Sequence, residues 1–135
     1  MRFGPPAAVL AVLVSLGAGP ARAAVCLDKS MTRDEIVDAI NATPGCGQAM
    51  KLFEACEFGT SGDIQLGAAV EKKCEGDFLN RLKAPQKKAY QRERAACERQ
   101  FGHDEGTMYV TFAAHCRARV ARRYSQKAAS PARAR

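Results

Sequence analysis

Six cysteines limit the folds open to this chain more than any other feature of its sequence. The nearest two, Cys46 and Cys56, are ten residues apart. Zinc sites and thioredoxin-like redox motifs use close pairs such as C-x-x-C, which do not occur here. An even number of widely spaced cysteines in a short exported chain indicates a disulfide framework. We therefore predict six bonded, structural cysteines: Cys26, Cys46, Cys56, Cys74, Cys97 and Cys116.

Residues 1–23 have the three parts of a cleavable secretory signal. Met1 and Arg2 form a short positive end, residues 7–16 are apolar, and residues 21–23 read Ala-Arg-Ala, a small-x-small cleavage site. The apolar run is about half of the roughly 20 residues that a membrane span needs. We therefore expect a periplasmic or secreted protein whose disulfides form outside the cytosol.

Residues 24–124 predict one disulfide-rich helical domain. Apolar side chains recur every three or four positions, and no segment alternates apolar and polar residues for long. The expected fold is all-α, a small disulfide-bonded bundle of about five short helices. Their predicted N-terminal residues are, in order, Thr32 (in a capping box with Glu35), Gly47, Thr60 or Ser61, Pro85 and Thr107. The third helix is expected to reach Leu82, and residues 125–135 to form a basic, disordered tail.

Two glycines interrupt the third predicted helix. Gly67 and Gly76 each weaken a helix by about 1 kcal/mol relative to alanine. Glycine also has no side chain to hold a neighbour away, so we expect another helix to come close there.

The spacing of the cysteines leaves the disulfide pairing open. Cys74 lies eleven residues before Pro85 and Cys97 twelve residues after it. A hairpin of the third and fourth helices would place these two cysteines almost level. The alternative pairs Cys97 with Cys116, across the glycine-containing loop at residues 102–106.

Positive charge is concentrated at the C-terminal end. From Arg117 onward there are seven Lys and Arg residues and no Asp or Glu. Such a cluster is typical of contact with an anionic surface, and the simpler interpretation is a solvated helix end followed by a tail. The candidates for anionic contact are Arg117, Arg119, Arg122 and Arg123.

Recognised catalytic motifs are absent from the sequence. There is no H-E-x-x-H, no G-x-S-x-G and no phosphate-binding glycine loop. His103, Asp104 and Glu105 share one polar loop and have the chemistry of metal ligands, but three adjacent residues rarely converge on one ion. We therefore predict a protein that is not an enzyme and uses no metal or cofactor, with a small metal-dependent enzyme as a second alternative. An exported compartment also argues against nucleic-acid binding. The spacing of the fifth helix places its aromatic residues in the core and not on a base-stacking platform; these are Tyr109, Phe112 and Tyr124.

Several short motifs occur together between residue 46 and residue 123. They are Cys46 and Cys56 around Gln48-Ala49-Met50, Gln86 followed by Tyr90, Arg94-Ala95-Ala96-Cys97, the glycine loop before Met108, and Cys116 on a basic helix. This set resembles the LprI-type lysozyme-inhibitor family of small bacterial envelope proteins. That family usually has Trp where Tyr90 stands, and Cys26 and Cys74 have no counterpart in it.

The resemblance implies an all-helical protein of the bacterial envelope that binds lysozyme. It also implies pairing of Cys97 with Cys116, against the hairpin geometry. The leading hypothesis is therefore an exported, non-enzymatic binding protein with a protein partner, for which lysozyme is the candidate. The alternative is an envelope-surface module whose Arg-rich C-terminal end binds anionic lipid or polymer.

Overall fold

The computed structural model describes Cys26 and residues 30–130, and over these residues it is all-helical. The elements are α1 (Arg33–Ala42), α2 (Cys46–Cys56), α3 (Asp63–Glu75), a 3₁₀ helix (Leu79–Arg81), α4 (Ala84–Phe101) and α5 (Thr107–Ala129). The predicted fold class, a small disulfide-bonded helical bundle, is confirmed. The predicted signal peptide lies outside the described residues. No helix within the described part of the chain is long and apolar enough to cross a membrane.

The start of α1 follows the predicted capping box. The Thr32 hydroxyl accepts a hydrogen bond from the Glu35 N–H, and the Thr32 N–H donates to the Glu35 carboxylate at 2.7 Å. These two bonds satisfy backbone groups that have no partner within the helix. Ile36 and Ile40 then lie on the buried face of α1.

The start of α3 differs from the prediction, because neither Thr60 nor Ser61 caps it. The N-cap is Gly62, and Asp63, the first residue of the helix, is fully buried. A carboxylate has more acceptor sites than a hydroxyl. The Asp63 carboxylate accepts from the N–H groups of Phe58, Gly59 and Thr60 and from the Thr111 hydroxyl, at 2.8, 2.8, 3.2 and 2.8 Å. Asp63 therefore joins the α2–α3 loop to α5.

The other helix starts lie within one residue of their predicted places. α2 begins at Cys46, and Pro85 is the second residue of α4. Thr107 is the first residue of α5, whose N-cap is Gly106 with a φ of 124°. That backbone conformation is unfavourable for a residue with a side chain, so glycine suits this turn.

The centre of the bundle is the contact between α3 and α5, which is more extensive than any other contact between two helices in the described chain. α5 turns a stripe of small buried residues inward: Thr111, Ala114, Ala118, Ala121 and Ser125. A Cβ atom on Gly67 would lie 3.0 Å from the Ala114 Cβ and 3.2 Å from the Ala114 carbonyl oxygen. The predicted close approach at Gly67 is therefore confirmed, whereas Gly76 is the C-cap of α3.

The hairpin of the third and fourth helices, one of the two arrangements that the spacing left open, does not form. α3 ends at Glu75, short of Leu82, and α4 packs along α5, which in turn packs along α3. Cys74 and Cys97 therefore do not meet. The three disulfides are Cys26–Cys56, Cys46–Cys74 and Cys97–Cys116, with Cα–Cα distances of 5.0, 4.6 and 5.6 Å.

These three disulfides connect neighbouring parts of the bundle in chain order. The first ties Cys26 to the end of α2, the second joins α2 to α3, and the third joins α4 to α5. Of the six cysteines, all of which are among the described residues, none is free. The prediction that all six cysteines are disulfide-bonded is confirmed.

The end of α5 lies beyond the predicted end of the domain at Tyr124. The helix continues to Ala129, so residues 125–129 are helical and not disordered. Ser125 is buried and donates a hydrogen bond to Asp77 at 2.5 Å, and Ala128 packs against the core. These contacts with the rest of the bundle extend the helix. Residues 131–135 of the predicted tail lie outside the described residues.

Candidate functional site

A groove of about 770 Å³ runs along α5, between the C-terminal end of α2 and the C-terminal end of α4. Its floor consists of α5 residues spaced three or four apart, which therefore share one face of the helix. These residues are Met108, Phe112, His115, Arg119 and Arg123. Glu54 and Glu57 line the α2 side, and Gln100 and Phe101 line the α4 side.

The α4 side of the groove is held by a covalent bond. The Cys97–Cys116 disulfide joins α4 to α5 at the groove, where Cys116 is one of the lining residues. Cys97 is 1% exposed, so the bridge is anchored in the core. The groove is therefore largely preformed.

One end of the groove is apolar. Met108 is 57% exposed and Phe112 is 42% exposed, and the Phe112 and Phe101 ring centroids are 5.8 Å apart. The sequence pattern placed Phe112 in the core of the fifth helix, which is wrong. The neighbouring stripe of small residues takes the inward position instead, because only small side chains fit the close contact with α3 at Gly67.

Sequence reasoning missed Met108 and Phe112 as site residues, although a signal was present. The five small residues of the buried stripe follow at intervals of three, four, three and four positions, from Thr111 to Ser125. This is the spacing of one helical face. α5 therefore has one face of small residues and one face of large residues. When a glycine-containing helix packs against the face of small residues, the face of large residues is left at the surface.

His115 lies in the middle of the groove floor. Its ring stacks on Phe53, with a centroid distance of 4.2 Å and an interplanar angle of 14°, and its Nε2 atom bonds to the Glu57 carboxylate. The side chain is 12% exposed. Its Nδ1 atom is buried and has no hydrogen-bond partner among the described residues. The neighbouring Cys116 is bonded to Cys97, so it is no free thiol for this imidazole to activate.

The other end of the groove is charged. Arg123 pairs with Glu93 at 2.8 Å, and Glu93 also accepts a hydrogen bond from Tyr124 at 2.7 Å. The Tyr124 hydrogen bond and Arg123 hold the pKa of Glu93 below its usual value. Arg119 and Glu54 are exposed, and neither takes part in an ion pair within the described part of the chain.

A buried ion-pair network lies behind this surface. Glu71 of α3 is 4% exposed, and its carboxylate bonds to Arg94 of α4 at 2.6 Å and to Arg117 of α5 at 3.1 Å. Burial lowers the pKa of Arg94, but the charge of Glu71, the hydrogen bond to it and the nearby Tyr90 and Glu75 together outweigh burial and raise the pKa overall. Arg117 also pairs with Glu98. The network ties α3, α4 and α5 together. Removing one partner of a buried pair is strongly destabilising, so we expect these bonds to matter for stability.

The four arginines predicted for anionic contact do not share one surface. Arg117 is in the buried network, and Arg123 is paired with Glu93. The Nε atom of Arg122 is buried without a partner in the part of the chain that the structure describes. Arg119 alone of the four lines the groove as an exposed, unpaired cation among the described residues.

The candidate metal ligands His103, Asp104 and Glu105 are exposed in the loop between α4 and α5. No group of three or more His, Cys, Asp or Glu side chains in the described part of the chain is arranged to hold a metal ion.

Fold and site together define a small, disulfide-bonded helical bundle with a preformed groove along α5 that is apolar at one end and charged at the other. No known family model, no curated protein and no solved structure matches the chain.

Proposed function

We propose that this chain is an exported, non-enzymatic binding protein of the bacterial envelope that holds a partner protein in the groove along α5. The observation that carries the proposal is the exposure of Met108 and Phe112, one helical turn apart, at a groove braced by the Cys97–Cys116 bridge. Large exposed apolar side chains grouped at a polar rim are typical of protein-interaction sites. The disulfides and the predicted signal peptide support a compartment outside the cytosol.

The apolar end is large enough to act as a binding hot spot. Complete burial of a Met or Phe side chain is worth about 1.5–3 kcal/mol. Met108 and Phe112 are each about half exposed, so a partner that covers both gains roughly 1.5–3 kcal/mol. A small cluster of such residues usually contributes most of the affinity of an interface. Because the Cys97–Cys116 disulfide holds the groove in place, binding also loses less conformational entropy.

Site-specific photo-crosslinking tests this proposal. A photoreactive residue replaces Met108 in the groove, and a matched control replaces Lys87, an exposed residue of α4 outside it. In the producing cell, irradiation should yield a discrete protein adduct from position 108 but not from position 87. Adding Phe112→Glu should abolish the adduct, because it places a charge where the partner needs an apolar contact. Equal labelling from both positions would contradict the proposal.

Lysozyme is the candidate partner, on the strength of the family resemblance and of one structural observation. Glu54 and Glu57 line the α2 side of the groove and offer carboxylates to a basic protein. Opposite charge accelerates association, and salt screens it. The oxidised protein should therefore inhibit lysozyme more strongly at low salt than at moderate salt, and Glu54→Lys should weaken the inhibition. Absence of inhibition at micromolar concentration would remove lysozyme as the partner and leave the groove proposal to the crosslinking result.

A further inference from the structure

We propose that the segment bound in the groove is an amphipathic helix of about four turns. It carries two apolar side chains four residues apart and, seven residues from the nearer of them, a carboxylate. This inference rests on the proposed function and specifies the class of partner. Three properties of the groove carry it: its length along α5, the spacing of the residues at its apolar end, and its two unpaired charges.

The groove has the dimensions of a helix-binding site. Its floor runs from Met108 to Arg123 along one helix, a distance of about 22 Å at 1.5 Å per residue, and α2 and α4 flank it on either side. Along the α5 floor, beyond the first turn of that helix, the backbone groups are satisfied within the helix itself. They offer no free hydrogen-bonding edge to an extended peptide, whereas a helical segment satisfies its own backbone and needs only side-chain contacts.

The apolar end sets the spacing of the partner's anchors. Met108 and Phe112 are four residues apart, which is one turn along α5, and Phe101 lies beside them on the α4 side. Two helices packed side by side match this spacing when the partner also presents apolar residues four apart. The partner therefore carries an apolar pair of the form i and i+4.

The charged end sets the sign and position of the partner's polar contact. Glu57 is bonded to His115 and Arg123 to Glu93, so the groove's available charges are Arg119 on the floor and Glu54 on the α2 side. Arg119 is seven residues beyond Phe112, about 10 Å along the helix. A carboxylate at that distance from the nearer anchor meets Arg119, and a Lys or Arg on the partner's other flank faces Glu54. Charges at an interface rim mainly select the partner and its orientation.

Selection from a displayed library of randomised 16-residue helices tests the inference. The target is the oxidised protein, with counter-selection on Phe112→Glu. Selected sequences should contain the apolar pair and, seven residues away, Asp or Glu. On Arg119→Glu as target, the preference at that position should change to Lys or Arg. Ile64→Glu, which alters an exposed apolar residue outside the groove, should select the same sequences as the parent protein.

The affinity of one selected peptide tests the same inference quantitatively. The chain has no Trp, so a Trp placed in the peptide reports binding without background Trp fluorescence from the protein. Arg119→Glu should raise the Kd about fivefold, and exchanging the peptide's acid for Lys should restore it. Arg119→Glu and Phe112→Glu both change exposed side chains of the protein, and circular dichroism of each variant establishes that it is folded.

Three results would overturn the inference. These are an extended or proline-containing consensus, an unchanged preference on Arg119→Glu, and a protein dimer in solution that Phe112→Glu disperses. The last result would assign the groove to a second copy of this chain. An adduct from position 108 combined with a failed helical selection would end the inference but retain the proposed function. Absence of any adduct from position 108 in the otherwise unchanged protein would end both.

Discussion

Replacing Gly67 with alanine tests how tightly α3 and α5 pack. In an isolated helix the change is favourable by about 1 kcal/mol, because alanine has the higher helix propensity. In this bundle the new Cβ would lie 3.0 Å from the Ala114 Cβ and 3.2 Å from the Ala114 carbonyl oxygen. Neither of those atoms belongs to a flexible side chain that can rotate away, so α3 and α5 would have to separate.

The expected magnitude is the difference between these two effects. Overpacking a close contact costs about 1–3 kcal/mol. Since the contact lies in the largest helix–helix interface of the described chain, we expect a cost of about 2 kcal/mol within that range and a net destabilisation of about 1 kcal/mol. Gly47 is the matched control, because a Cβ there has nothing within 4 Å. Gly47→Ala should therefore stabilise the protein by roughly 0.5–1 kcal/mol.

Denaturant unfolding of the oxidised protein measures both variants under the same conditions. The two free energies of unfolding should move in opposite directions. The double variant of Gly67→Ala with Ala114→Gly should recover part of the lost stability, because it removes the closer of the two contacts. A double-mutant cycle isolates the interaction energy between positions 67 and 114. Equal stabilisation by Gly67→Ala and Gly47→Ala would refute the tight packing of α3 on α5.

Three further predictions concern other contacts. Asp63→Ala should cost about 3 kcal/mol of unfolding free energy, because three backbone N–H groups and the Thr111 hydroxyl lose a buried, charged acceptor, and a thermal shift of only 1–2 °C would contradict this. Replacing both Cys46 and Cys74 with Ser should cost about 2–5 kcal/mol, and peptide mapping of the parent protein should recover this pair still bonded. Burial and the hydrogen bond to Glu93 raise the pKa of Tyr124 to about 12, from an ordinary value of 10.0. Since the neutral phenol is favoured in the folded state, this stability is present below pH 10 and is lost as the pH rises toward 12, so Tyr124→Phe should flatten the alkaline stability profile.

Locally encoded features were the predictable ones. The Thr32–Glu35 capping box involves residues three positions apart, and its partners are the same whatever the rest of the chain does. The helix starts at Cys46 and Thr107 lie one residue or less from their predicted places, because glycine and polar residues mark those turns. The number of helices and the bonded state of the cysteines follow from patterns of the same kind.

The disulfide pairing needed more than local rules. Cys97 had two partners with plausible offsets, Cys74 and Cys116, and the choice depends on which helix packs against α4. α5 packs along both α3 and α4, so Cys97 faces α5 and bonds to Cys116. The spacing along the chain carries no information about that arrangement.

The candidate groove shows the same limit. Apolar periodicity correctly identified α5 as an amphipathic helix, but it assigned Phe112 to the interior. The contact between Gly67 and Ala114 turns the small-residue stripe inward and leaves Met108 and Phe112 at the surface.

The sequence by itself determined that this is a chain of short helices joined by paired cysteines, because capping, turn formation and helical periodicity act over about four residues. Which cysteines pair, where α5 ends, and which apolar residues remain exposed were decided by the packing of α5 between α3 and α4. The physical reason is that packing selects among helix faces by the fit of side chains far apart in the sequence, such as Gly67 with Ala114 and Asp77 with Ser125.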